Sequence, residues 1–89
     1  MPEAWIPSEA RKLTNGQQRV CVSGSTLRQL LDNLDEAYPG IRAYLCDDDG
    51  IKPGLAVIVD GEAINVGLLQ RLHEDSEVHF LPAIGGGRV

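Results

Sequence analysis

Thr26-Leu27-Arg28-Gln29-Leu30-Leu31-Asp32-Asn33-Leu34-Asp35-Glu36-Ala37-Tyr38-Pro39-Gly40 carries the clearest periodicity in the chain. Leu27, Leu30, Leu31, Leu34, Ala37 and Tyr38 recur at helical spacing on one stripe, while Arg28, Gln29, Asp32, Asn33, Asp35 and Glu36 fall off it. Thr26 followed by Gln29 fits a capping box, and Pro39-Gly40 stops the helix. A helix with one leucine face must bury it, and each leucine so buried contributes about 1.5–3 kcal/mol. The flanking sequence therefore has to supply a sheet.

Outward from the helix the period falls to that of strands. On the N-terminal side, Ala4 to Ile6 reads as a first strand and Arg19-Val20-Cys21-Val22 as a second, with Thr14-Asn15-Gly16 as the hairpin turn between them, since Asn and Gly tolerate positive φ. Pro7 cannot donate to a ladder and belongs at a strand end or bulge. On the C-terminal side, Leu55-Ala56-Val57-Ile58-Val59 is an apolar strand whose near-continuous run implies cover on more than one face or a central position, and Asp60-Gly61 turns it into Glu62-Ala63-Ile64. Val66 to Leu69 fits a short helical turn. Asp75-Ser76 leads into the last strand, Glu77-Val78-His79-Phe80-Leu81, in which alternation turns Val78 and Phe80 toward the helix and His79 and Leu81 outward. Residues 41 to 54 are expected as a loop. The order strand, strand, helix, strand, short strand, strand is that of an α+β fold, with no repeat or linker to divide it.

Composition narrows the function. The chain has 89 residues, enough for one modest core, and 13 acidic against 8 basic residues give a net charge of −5. Such a balance offers no footprint for a nucleic acid or an anionic membrane and suits a partner with a basic surface. The start of the chain has no signal-peptide pattern and no stretch long enough to span a membrane, so a cytoplasmic location is expected. Cys21 and Cys46 lack metal or redox spacing and are read as small buried hydrophobes. His73 and His79 are read as solvent-facing. Asp47-Asp48-Asp49-Gly50 invites a calcium loop, but that register would put Leu45 and Ala56 at the first and last ligand positions, so the triplet is a solvated turn. No nucleophile and base are paired, and neither a catalytic nor a metal site is expected.

The final stretch, Leu81-Pro82-Ala83-Ile84-Gly85-Gly86-Gly87-Arg88-Val89, adds three glycines after the last strand. Without Cβ atoms they form an arm that threads gaps closed to any side chain. Together with Ile6-Pro7, the segment from Arg11 to Gln17, Gly24-Ser25-Thr26-Leu27, Tyr38-Pro39-Gly40 and the Val57-to-Glu62 segment, this end resembles the family of ubiquitin-like sulfur carriers. That family includes the small subunit of molybdopterin synthase, the thiamine-pathway carrier and the carrier of a cysteine synthesis route. The resemblance runs from about Ile6 to Gly87.

It implies a β-grasp (ubiquitin-like) domain over residues 1–84, with a mixed sheet of four to five strands packed on one main helix and adjacent first and last strands. Residues 85–89 would be a flexible glycine tail with a two-residue extension. The resemblance further implies that an activating enzyme of the ubiquitin-activating type, an adenylyltransferase using ATP, adenylates the carboxylate of Gly87. Sulfur then replaces AMP to leave a thiocarboxylate for a sulfur-accepting enzyme or the large subunit of a synthase. Gly85 and Gly86 would be the tail. Arg88 and Val89 depart from the pattern because they lock the Gly87 carbonyl in a peptide bond, so a processing protease is expected to cut between Gly87 and Arg88. No cofactor would be bound by the chain itself. Leu81, Pro82 and Ile84 are the expected docking strip for the partner. The same residues also serve two other readings, a protein modifier conjugated through Gly87 and a β-grasp interaction module that is never activated.

Overall fold

The leucine stripe forms the helix it predicts. In the computed structural model, which describes residues 1–48, 50–64 and 67–82, the chain runs through β1 (Glu3–Trp5), a 3-10 helix (Ser8–Thr14), β2 (Arg19–Cys21), α1 (Leu27–Ala37), α2 (Ile41–Leu45), β3 (Cys46–Asp47), β4 (Gly50–Ile51), β5 (Leu55–Val59), β6 (Glu62–Ala63), a 3-10 turn (Gly67–Leu69) and β7 (Glu77–Pro82). Leu27, Leu30, Leu31 and Leu34 are fully buried. Thr26 caps α1, its Oγ1 accepting from the Gln29 N–H at 3.2 Å. The Gln29 side chain reaches back one residue further than the capping box requires, accepting from Ser25 N–H at 2.9 Å and Ser25 Oγ–H at 2.7 Å. Ala37, expected on the buried stripe, is exposed, because the helix ends there and the chain leaves the sheet; Tyr38 becomes the C-cap and donates its N–H to Leu34 at 2.8 Å.

Five strands form the main sheet in the order β2-β1-β7-β5-β6. The β1–β7 pair is parallel and the others antiparallel, so the first strand lies beside the last at the centre. This is the β-grasp arrangement. The apolar run of β5 lies one strand from the edge, between β7 and the two-residue β6, and β7 takes the central place. Asp60 and Gly61 have φ of 53° and 87°, the left-handed pair that a tight hairpin with strand-matched twist needs.

Three expectations change. Thr14-Asn15-Gly16 does not close a hairpin between two extended runs. Pro7, with φ of −60°, leaves the strand and starts the 3-10 helix, and Asn15 and Gly16 end that helix in the left-handed region, Gly16 N–H bonding Arg11 C=O at 2.8 Å. The 41–54 segment contains α2 and the β3–β4 hairpin, with Ile41 and Leu45 buried in the core and Asp47 and Asp48 exposed. Asp35 holds α2 to α1 by accepting from the Gly40 and Arg42 N–H groups, both at 3.0 Å. Cys21 is exposed, since its place on β2 turns it away from α1, whereas Cys46 is buried as expected.

The core lies between the helices and one face of the sheet, where Ala4, Val57, Val59, Val78 and Phe80 meet the α1 leucines. The opposite face of the sheet is not covered by any described element.

Candidate functional site

Strand register sets what the open face presents. Trp5 pairs with Arg19 on β2 and with His79 on β7, and His79 pairs with Ile58 on β5. Arg19, Trp5, His79 and Ile58 therefore form a row across four strands, all on the side away from α1. Trp5 and His79 stack with centroids 4.7 Å apart at 14°, and the Arg19 guanidinium carbon lies 5.2 Å from the Trp5 ring. Glu3 accepts from Trp5 Nε1–H at 3.1 Å and sits 3.9 Å from Arg19, while Glu77 Oε1 lies 3.4 Å from His79 Nε2. The carboxylates hold the rims of the row and the aromatic rings fill its middle. One step further along the sheet, Leu81 pairs with Ala56 and leaves 46% of its surface open.

The expectation for the last strand is met residue by residue. Val78 and Phe80 are 0% and 2% exposed, and Leu81 faces outward. His79 also faces outward, but Trp5 half-covers it. Pro82 ends β7 opposite Leu55. Ile84, Gly85, Gly86, Gly87 and Arg88 lie outside the described residues, as do the 84/85 domain boundary and Asp49. Sequence reasoning missed Trp5, Arg19 and Ile58 as members of this face. Their signal was the strand alternation itself, which places residues two apart on one side once a single register is known.

Beside Leu81 the sheet opens. β7 continues past the end of β1 while the chain after Ile6 turns off into the 3-10 helix, leaving a groove of about 470 Å³ walled by Trp5, Ile6, Pro7, Arg11, Phe80 and Leu81.

The other titratable groups serve structure. Asp60 accepts from Glu77 N–H at 2.9 Å and Ser76 Oγ–H at 2.8 Å, and the Glu77 bond is the main reason its carboxyl is held below the usual range. Burial pushes the Cys46 thiol up. Among the described residues no cluster of His, Cys, Asp and Glu could hold a metal, and no helix is long and apolar enough to cross a membrane.

The β-grasp order, with the first and last strands adjacent, is what the resemblance called for. The sequence pattern of the ThiS family matches residues 5–87. The chain belongs to that family. Among curated proteins, the sulfur carrier protein CysO of Mycobacterium tuberculosis is 33% identical, the match covering 92% of this chain and 94% of CysO. Among solved structures, the Amycolatopsis orientalis BexX/CysO complex contains a chain matched with a TM-score of 0.89 at 26% identity, covering 98% of this chain and 100% of that one. SAMP1 from Haloferax volcanii matches with a TM-score of 0.71 at 26% identity, over 97% of this chain and 98% of that one. As a ThiS-family member with CysO as a relative, the protein is a sulfur carrier of cysteine or cofactor biosynthesis. It is a carrier, not an enzyme.

Proposed function

We propose that the sulfur is carried on the carbonyl of Gly87, after the residues beyond it are removed. The observation that carries this reading is that the family match runs to Gly87 and stops there, with Arg88 next in the chain. A protease hydrolyses the Gly87–Arg88 peptide bond, freeing a carboxylate. An activating enzyme couples that carboxylate to ATP, forming an acyl-adenylate and releasing pyrophosphate. Hydrosulfide attacks the acyl carbon, the acyl C–O bond breaks, AMP leaves with that oxygen and the electron pair, and a thiocarboxylate remains to be passed to the accepting enzyme. Side chains of this domain take no part in the bond changes. Their work is to bring the tail to the enzyme, and Gly85 and Gly86 let it enter a channel that admits only backbone. ATP enters through the activating enzyme alone, and the cycle runs in the cytoplasm.

Affinity comes from the folded domain, because a tail gives reach with little binding energy. Leu81, with Pro82 and Ile84 continuing toward the glycines, forms the apolar contact, and the Trp5–His79 row extends it. Aromatic residues at the centre of an exposed face are the usual carriers of interface energy.

The test compares three chains with a matched activating enzyme, ATP and a sulfur donor, read by intact mass. The 89-residue chain should stay unmodified at Gly87. A chain ending at Gly87 should gain the mass of one oxygen exchanged for sulfur, and Gly86→Val in that shorter chain should block the gain while leaving the domain folded. Efficient activation of the uncut chain at Val89 would overturn the reading. A second reading, conjugation to proteins through the same glycine, draws on the likeness to small archaeal modifier protein 1 (SAMP1) of Haloferax volcanii. Branched peptides at Gly87 in cellular digests would select it.

A further inference from the structure

The groove beside β7 has the three parts of a strand-addition site. The first is an open backbone acceptor. Glu3 N–H bonds Ser76 C=O at 2.8 Å and Asp60 N–H bonds Glu77 C=O at 2.9 Å, so even-numbered residues of β7 turn their amides to β1 and odd-numbered ones to β5. On β1, Ile6 N–H bonds Gln18 C=O at 2.8 Å, so Glu3, Trp5 and residue 7 are the positions that turn to β7. Continuing the parallel ladder, the next rung would run from the N–H of residue 7 to Phe80 C=O. Residue 7 is proline, which has no N–H, and the ladder stops with the Phe80 carbonyl turned into the groove.

The second part is apolar wall: half-buried Trp5 and the exposed Leu81 line the same space. The third is a tethered cation. Arg11 Nε–H donates to Ile6 C=O at 3.2 Å, which fixes the guanidinium at the groove, and its terminal nitrogens have no acceptor among the described residues. Such a pre-set fork binds a carboxylate through two parallel bonds. Glu9 also lines the groove, so a basic segment would meet Arg11 and an acidic one must approach from the Arg11 side.

We propose that this groove binds an extended peptide segment of a protein partner, one that donates a backbone N–H to Phe80 C=O, lays a large apolar side chain against Trp5 and Leu81, and places a carboxylate on Arg11. Strand addition at an exposed edge is a general mode of peptide recognition in which main-chain bonds give affinity and side-chain contacts give selectivity. The peptide would share Trp5 and Leu81 with the proposed contact for the activating enzyme.

The probe is a phage-displayed library of random linear peptides selected on the immobilised 89-residue chain. The enriched peptides should carry Asp or Glu within a few positions of an aromatic or branched aliphatic residue. For synthetic versions, Arg11→Gln should weaken binding roughly tenfold, the scale of removing one charge-assisted hydrogen bond. Exchanging the peptide's acid for its amide should do the same to the parent and nothing further to Arg11→Gln. Pro7→Ala restores the missing N–H, lets β1 close the rung itself, and should also weaken binding without lowering the urea midpoint. The Arg11 side-chain Nε–H resonance should shift on binding in the parent. No enrichment, enrichment without acids, or binding indifferent to both substitutions overturns the proposal. Shifts confined to β5 and β6 overturn it too.

Discussion

The two faces of the main sheet use the same strands for opposite purposes. Along β7, Val78 and Phe80 vanish into the core, while His79 and Leu81, their immediate neighbours, lie on the open side. The inner face is aliphatic apart from Phe80 and is held by apolar burial; the outer one mixes Trp5, His79 and Arg19 with carboxylates at its rim. The difference shows how a carrier could keep the proposed docking surface without weakening its fold. Alternation separates the two sets of residues at every position, so a change on one side need not be felt on the other.

That separation can be broken from the inside first. Phe80→Ala should cost about 3–5 kcal/mol and Leu30→Ala about 2–5 kcal/mol, measured by urea unfolding, because each leaves a cavity between α1 and the sheet. An unchanged midpoint would mean that the helix does not pack there. From the outside, Leu81→Asp should leave the midpoint within about 0.5 kcal/mol of the parent. It should nevertheless weaken association with the activating enzyme, since it places a charge in an apolar contact. Equal binding by parent and variant would remove Leu81 from the interface.

The cysteines sharpen the same contrast. Cys21 stands on the outer side and Cys46 inside, its thiol pushed up by burial and so held in the unreactive form. One equivalent of a thiol reagent at neutral pH should label Cys21 and spare Cys46, as read by peptide mass. Equal labelling would mean that the α2–β3 corner opens readily. The smallest effect concerns Asp60, in the turn between β5 and β6. Its carboxyl is depressed in the folded state, chiefly by the Glu77 N–H, so the stability it contributes is present above the ordinary aspartate pKa and is lost as the pH falls through its lower folded value. The gap in urea midpoint between the parent and Asp60→Ala should be steady near neutrality and narrow on acidification. A gap that widens in acid would contradict that sign.

How much of this was legible in the sequence follows from what sets each element. The α1 stripe and the alternation of β7 are patterns of burial, and burial is what the hydrophobic effect writes into a sequence most plainly. The Asp60-Gly61 hairpin was legible because its backbone conformation demands those residue types. Residues 41–45 were not, because a five-residue helix has too few turns to show a period; only Ile41 and Leu45, one turn apart, mark it. The turn at Asn15-Gly16 misled for a related reason, since the same positive-φ pair that closes a hairpin also ends a 3-10 helix. Of the proposed docking face, Leu81 could be placed from β7 alone, whereas Trp5 and Arg19 needed the register between strands far apart in the chain. The tail's role rested on its resemblance to a family, because glycines without a core pattern carry no packing signal.

The parallel pairing of β1 with β7 joins Glu3 to Glu77 and Trp5 to His79, nearly the two ends of the chain. A growing polypeptide therefore cannot complete its sheet until synthesis has passed the last strand, and contacts of such long sequence separation form late. The glycines are made only after it, a few residues behind the strand that completes the fold. On the proposed function, a nascent chain that stalls or terminates before Val78 has neither a closed core nor the glycine to be charged, so the order of translation would keep sulfur chemistry off unfinished molecules.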